Sequence, residues 1–199
     1  MQSPVAAPGS NTNTLSVPVT FKTTGDSAIA FVRMSGATST VSIKDALGNV
    51  YTPVVSQVQN AGNVQIQLFL ANNIKGGANT VTANFGASNS RPWLAVYEFT
   101  PISGVINTSS AKGKSNTADS GTVVGPGGPA LYFSGVGVQS NWKGTITAGG
   151  GYTMGVQDTN KNRAATEYAI LSSNTGNHSG VFQLSASTNW SVVVAAFKP

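Results

Sequence analysis

The chain reads as one pattern written twice. Phe31 answers Phe133, Tyr51 answers Tyr152, Val81 answers Val181 and Trp93 answers Trp190. Whole segments correspond in order: "VSIKDALGNVYTPVV" meets "GTITAGGGYTMGVQ", and "NTVTANFGASNSRPWLAVYEF" meets "HSGVFQLSASTNWSVVVAAF". Self-similarity at a near-constant offset marks one structural unit used twice. The repeats run over about residues 10–99 and 115–197. The local pattern says what the unit is. Alternating apolar and polar runs recur roughly every ten residues, broken by Gly, Asn and Pro, which is the spacing of sandwich strands. No stretch keeps a 3.6-residue period, and the abundant Thr, Val, Ser, Gly and Asn are weak helix formers.

The strands expected in the first half are "TLSVPVTF", "AIAFVRM", "TVSIKD", "VYTPVVSQ", "VQIQLFLA", "NTVTANF" and "WLAVYEF". Those in the second are "SGTVV", "ALYFSGVGV", "GTITA", "YTMGVQ", "ATEYAILS", "GVFQLSA" and "WSVVVAAF". The expected fold is all-β, an antiparallel β-sandwich with jelly-roll or Greek-key connections. Each half alone is small for a good core, which favours fusion of both into a single sandwich over residues 1–199. Two tandem seven-stranded sandwiches are the alternative. The join, "TPISGVINTSSAKGKSNTADS", reads as a polar connection. In "DALGNVY", Gly48 and Asn49 form a bend whose amides Asp45 can bind.

Composition narrows the function. Only 9% of the 199 residues are charged, against about 25% in an ordinary soluble domain. That profile suits secreted β proteins and surface or virion subunits. Without cysteine, and with His178 as the one histidine, thiolate and multi-histidine metal sites are excluded. The net charge of +5 reflects six acids rather than many bases. The bases are scattered, unlike the dense basic patch with interleaved aromatics of a nucleic-acid interface. No apolar run approaches the roughly 20 residues of a membrane span. The opening "MQSPVAAPGSNTNT" lacks the charged and apolar regions of a signal peptide. The expected localisation is extracellular or cell-surface, as a mature secreted chain or a virion subunit made without a signal.

The segments "VSIKDALGNVYTPV", "QIQLFLANNIKGGANTVTANF" and "WLAVYEFTPISG" resemble a β-sandwich module widespread in secreted bacterial proteins. Its pattern is a "GN-x-Y-T" hairpin, an "N-I-x-GG-x-NTVT" segment and a strand ending in "E-[FY]". The second half, with its closing "AFKP", resembles that module's second half. The resemblance spans nearly the whole chain. It implies an extracellular sandwich with a binding, adhesive or structural role, and it carries over no catalytic residues. "TPISG" after Phe99 departs from the module's more direct turn into Ser-Gly.

Candidate residues are those where the halves differ. Along "WLAVYEF", Trp93, Ala95, Tyr97 and Phe99 share one strand face, and Leu94, Val96 and Glu98 share the other. Matching Trp93 with Trp190 puts Glu98 opposite Ala195, so the architecture does not require that acid. Its expected role is a backbone or base contact near a strand end, with ligand contact as the alternative. Glycoside hydrolysis needs two carboxylates about 5–10 Å apart, and no pair, Glu98 with Glu167 included, has sequence support. There is no G-x-S-x-G. Trp142, in "QSNWKG", has no counterpart in the first half. It either caps the core or presents its ring to a sugar, with Asn141 and Lys143 beside it. Arg91 and Glu98 complete the expected ligand set. No cofactor is called for. Calcium is the one cation with plausible oxygen donors, Asp158 and Asn160, although Lys161 and Arg163 stand close by. The expected function is non-catalytic carbohydrate binding or adhesion, with a polysaccharide or cell-surface glycan as partner. A self-assembling subunit of a filament, surface layer or virion is the alternative.

Overall fold

A computed structural model describes residues 3–36, 40–173 and 176–199. Strands take 69% of the chain, all paired antiparallel, with no helix among the described residues. Their order is β1 (Val5–Pro8), β2 (Thr12–Phe21), β3 (Ser27–Ser35), β4 (Val41–Asp45), β5 (Thr52–Gln59), β6 (Val64–Ala71), β7 (Gly77–Asn89) and β8 (Trp93–Phe99). They continue as β9 (Gly104–Val124), β10 (Ala130–Val138), β11 (Ile146–Ala148), β12 (Thr153–Asp158), β13 (Ala164–Leu171) and β14 (Asn177–Lys198).

The alternating runs place most strands to within two residues. Two differences matter. The join read as a polar connection is the first part of β9, which hydrogen-bonds to β14 along both their lengths. The polar opening contains β1, paired with β8. Both segments lack a clear apolar alternation because each lies at a sheet margin and buries little.

Three sheets form. The first runs β1-β8-β3-β6-β5 and the third β2-β7-β4. The second runs β11-β14-β10-β13-β12, with β9 added on β14. The first and third sheets close a core of Val17, Phe21, Val32, Phe69, Val81 and Leu94. The other face of the first sheet packs on the second sheet, bringing Phe31, Ile66, Trp93 and Tyr97 against Phe133, Val193 and Phe197. Register shifts in β14 between Gln183 and Thr188 let its two ends serve different ladders. The second sheet thereby folds over and encloses Val136, Ile146, Phe182 and Val192.

Consequently β3, β8 and β10 are buried on both faces at every position. Burial of a large apolar side chain contributes about 1.5–3 kcal/mol, so these double-sided strands dominate the stability. The face assignment for β8 holds: Leu94 and Val96 enter one core, and Trp93, Ala95, Tyr97 and Phe99 the other. Close approach of the sheets depends on small residues. A Cβ on Gly135 would overlap the Phe31 ring, and one on Gly137 would lie 2.7 Å from Ile66 Cγ2.

One correspondence needs correction. Phe31 pairs with Leu68 and Ala95, and Phe133 with Tyr168 and Ala195. With Phe31 set against Phe133, Ala195 takes the ladder place of Ala95, and Lys198 that of Glu98. Trp93 and Trp190 are not counterparts: Trp93 faces the core between the sheets, and Trp190 the core inside the second sheet. Matching tryptophan to tryptophan shifts the strands by three residues and exchanges their faces.

Candidate functional site

The acids are engaged by the backbone. Glu98, at the end of β8, is 4% exposed. Its Oε1 accepts the amides of Lys22 at 2.8 Å and Thr23 at 3.0 Å, and Oε2 accepts Lys22 N at 3.0 Å. It therefore fastens the turn after β2 beneath the first sheet. Asp45 accepts Asn49 N at 2.9 Å across the bend where Gly48 has φ 75°, and takes Asn79 Nδ2 at 2.8 Å. Asp119 accepts Gly121 N at 2.8 Å. Glu167 is fully buried in β13 and accepts Gly149 N and Val181 N, both at 2.9 Å. Burial raises its pKa to about 7, although the two amide bonds oppose the rise.

Asp158, the calcium candidate, closes the turn after β12. Its oxygens accept Asn160 N at 2.9 Å, Lys161 N at 3.0 Å and Asn162 N at 3.3 Å. Among the described residues no three His, Cys, Asp or Glu side chains gather as a metal cluster.

Trp142 does not present its ring. It is 9% exposed and packs with Val138, Ile146 and Leu184, with the Arg163 guanidinium 6.0 Å from its ring centre. The loop entering from β10 turns inward here because Trp142 N donates to Gln139 O at 3.1 Å. Asn141 and Lys143, on either side, are exposed. No aromatic side chain among the described residues is exposed: every Trp, Tyr and Phe is buried or half-buried.

What the fold does bring together is a set of loops at the rim where the first and second sheets meet. A depression of about 630 Å³ lies between β1 and the turn after β12, walled by Ala6, Trp93, Asp158, Asn160 and Lys161. A second, of about 410 Å³, shares Lys161 and adds Asn11, Ser90, Arg91 and Asn162. A third, of about 270 Å³, shares Ser90 and Arg91 and reaches Ser35, Asn63, Ser140 and Asn141. The shared walls join them as one groove, polar along the second and third depressions and mixed in the first, where Ala6, Pro8, Trp93 and Val156 contribute. Four candidates line it: Arg91, Asn141, Asp158 and Asn160. Trp142 lies in the core, Lys143 is elsewhere on the surface, and Glu98 sits at the far end of β8, about 20 Å of extended strand from Arg91.

The rim is held by polar bonds between sheets. Asn162 Nδ2 donates to Gly9 O at 3.2 Å and to Pro92 O. Arg91 Nη1 donates to Lys161 O at 3.0 Å. Tyr97 OH bonds Thr166 Oγ1 and accepts Val156 N at 2.9 Å. Arg33 is fully buried beneath the third depression. Its Nη1 donates to Ser35 Oγ at 2.7 Å and Arg91 O at 2.8 Å, and its Nη2 to Ser140 Oγ at 2.7 Å and Val138 O at 3.1 Å. Burial, and secondarily the charge of Arg91, push its pKa down to about 9. Arg33 is absent from the sequence-based candidates, although a signal existed. In "AIAFVRM" it follows Ile29 and Phe31 at period two, which puts a cation on an inward face.

Comparisons of the chain with family models, with curated proteins and with solved structures find no match. No described helix is long and apolar enough to cross a membrane.

Proposed function

We propose that the protein is a non-catalytic extracellular binding module that takes a polysaccharide or cell-surface glycan along the rim groove. The observation that carries this reading is the groove's continuity and polarity. Amides, hydroxyls and cations from the loops after β1, β7, β10 and β12 line one path, a donor-rich surface suited to sugar hydroxyls. The non-catalytic assignment is supported by the acids. Five of the six, Asp45, Glu98, Asp119, Asp158 and Glu167, accept backbone amides and so serve as turn and loop fasteners.

We further infer that the chain is an internal duplication, one β unit used twice, in line with the internal correspondence of its two halves. The ladders support this. β2-β7-β4 and β6-β3-β8 in the first half have the same order as β9-β14-β11 and β13-β10-β14 in the second. The groove then lies at the junction of the two units. Self-assembly by strand addition has less support. β5 carries Pro53 and a bulge, β12 carries a bulge, and β4 and β11 are short, features that blunt those four edges, while β2 and β9 are longer edge strands.

The test is retention on insoluble polysaccharides and on a glycan array. Binding is expected, with loss on combined Arg91→Ala and Asn141→Ala substitution and none on Trp142→Phe. Failure to bind any polysaccharide or glycan would overturn the reading.

A further inference from the structure

We propose that the part of the groove between Lys161 and Asn141 is an anion site, so that the polymer it takes is an acidic polysaccharide bearing carboxylate or sulfate groups. This deepens the glycan-binding reading and rests on it. Three observations bear on this part of the groove.

First, Arg33 places a buried positive charge beneath the groove with neutral partners only: two carbonyls and two serine hydroxyls. Its Nε has no hydrogen-bond partner. The Asp158 charge offsets the desolvation of this guanidinium only in part, and an anion held in the groove above it would add to that compensation.

Second, the two hydroxyls form part of the groove wall. Ser35 Oγ and Ser140 Oγ each accept from Arg33, and they meet each other only at 3.4 Å. One hydroxyl can donate to the other across that contact, which leaves the second hydrogen available as a donor, polarised by the cation behind it.

Third, Arg91 lies where the second and third depressions meet, and Lys161 where the first and second meet. Both are exposed, and only one Arg91 nitrogen is engaged by Lys161 O. No residue lining these two depressions is acidic. Asp158, in the neighbouring depression, is occupied by three amides. The pattern of two surface cations, two polarised hydroxyls and one buried cation fits repeating anionic substituents better than neutral sugars.

The experiment is affinity electrophoresis of the whole chain through polygalacturonate, dextran sulfate, neutral dextran and single-stranded DNA. Expected is retardation by the two acidic polysaccharides, weakened at least tenfold by Arg91→Ala or Lys161→Ala. Ser140→Ala should weaken it less, and Lys112→Ala, which removes an exposed cation on β9, should leave it unchanged. Equal retardation by neutral and acidic polysaccharides would overturn the anion site and leave the glycan-binding reading standing. A Lys112→Ala effect as large as that of Arg91→Ala would reduce the interaction to net charge and overturn the site. Preference for single-stranded DNA would overturn the polysaccharide assignment. Binding to no polysaccharide, here and in the glycan tests, would remove both readings together.

Discussion

Replacing Glu98 by alanine tests whether this acid is a structural fastener or a ligand contact. The carboxylate makes three contacts of 2.8–3.0 Å to two backbone amides, with its residue 4% exposed. A hydrogen bond to a charged acceptor contributes about 1.5–3 kcal/mol. Lys22 and Thr23 are themselves exposed, so water can reach their amides after truncation and recover part of that. The expected loss is about 2–3 kcal/mol, which for a chain of this length lowers Tm by roughly 5–10 °C. Glu98→Gln keeps one oxygen for both amides but sets an NH₂ against Lys22 N, so its loss should be smaller, about 1 kcal/mol. Urea unfolding followed by tryptophan fluorescence measures both. An unfolding free energy for E98A within about 0.5 kcal/mol of wild type would refute the reasoning, since that is the range of an inconsequential surface change. Electrophoresis in polygalacturonate should be unaffected at temperatures where E98A is folded.

Glu167 predicts a pH dependence. Its folded pKa is raised from 4.5 to about 7, so folding favours the protonated form. The stability it contributes is fully present below about pH 4.5 and is lost as pH rises through 7. The change is on the order of 3 kcal/mol. It should appear as the difference between the pH profiles of wild type and E167Q, and parallel profiles would contradict it. Gly135→Ala should cost at least about 2 kcal/mol in urea unfolding, because its methyl group would enter the Phe31 ring space between two sheets. Wild-type stability would show that the sheets pack less closely. Trp142→Ala should cost about 3–5 kcal/mol as a large core truncation, with polysaccharide binding retained in the folded fraction. Lost binding at preserved stability would return Trp142 to the ligand set.

Strand positions and strand faces were legible in the sequence. "VQIQLFLA", "WLAVYEF" and "ALYFSGVGV" are strands with those bounds. The bend at Asp45–Asn49 forms with the expected acid–amide bond. These features are local, fixed by a period of two and by turn chemistry within five residues. The groove was half legible. Arg91 and Asn141 stood out because the two halves differ there, and Asp158 and Asn160 as oxygen donors for calcium, but nothing in the sequence said that they share a rim. Lys161 was visible only as a neighbour of Asp158.

Tertiary structure decided what covers the second face of each strand. Alternation shows which residues point together, but not whether the opposite side meets water or another sheet. Packing of the first sheet between the second and the third buries both faces of β3 and β8 and turns Arg33 into an interior cation, and the second sheet, folding over itself, covers the other face of β10 and takes up Trp142. It also settles the partner of Glu98, two amides 75 and 76 residues away in the chain. Ladder register, with Phe31 set against Phe133, puts this glutamate opposite Lys198 rather than Ala195. Such facts depend on contacts between distant segments, and a one-residue slip in register exchanges every face. The sequence alone determined where this chain is extended and which way its side chains alternate. Only the packing of one sheet on the next decided which polar groups became fasteners and which were left to line a groove.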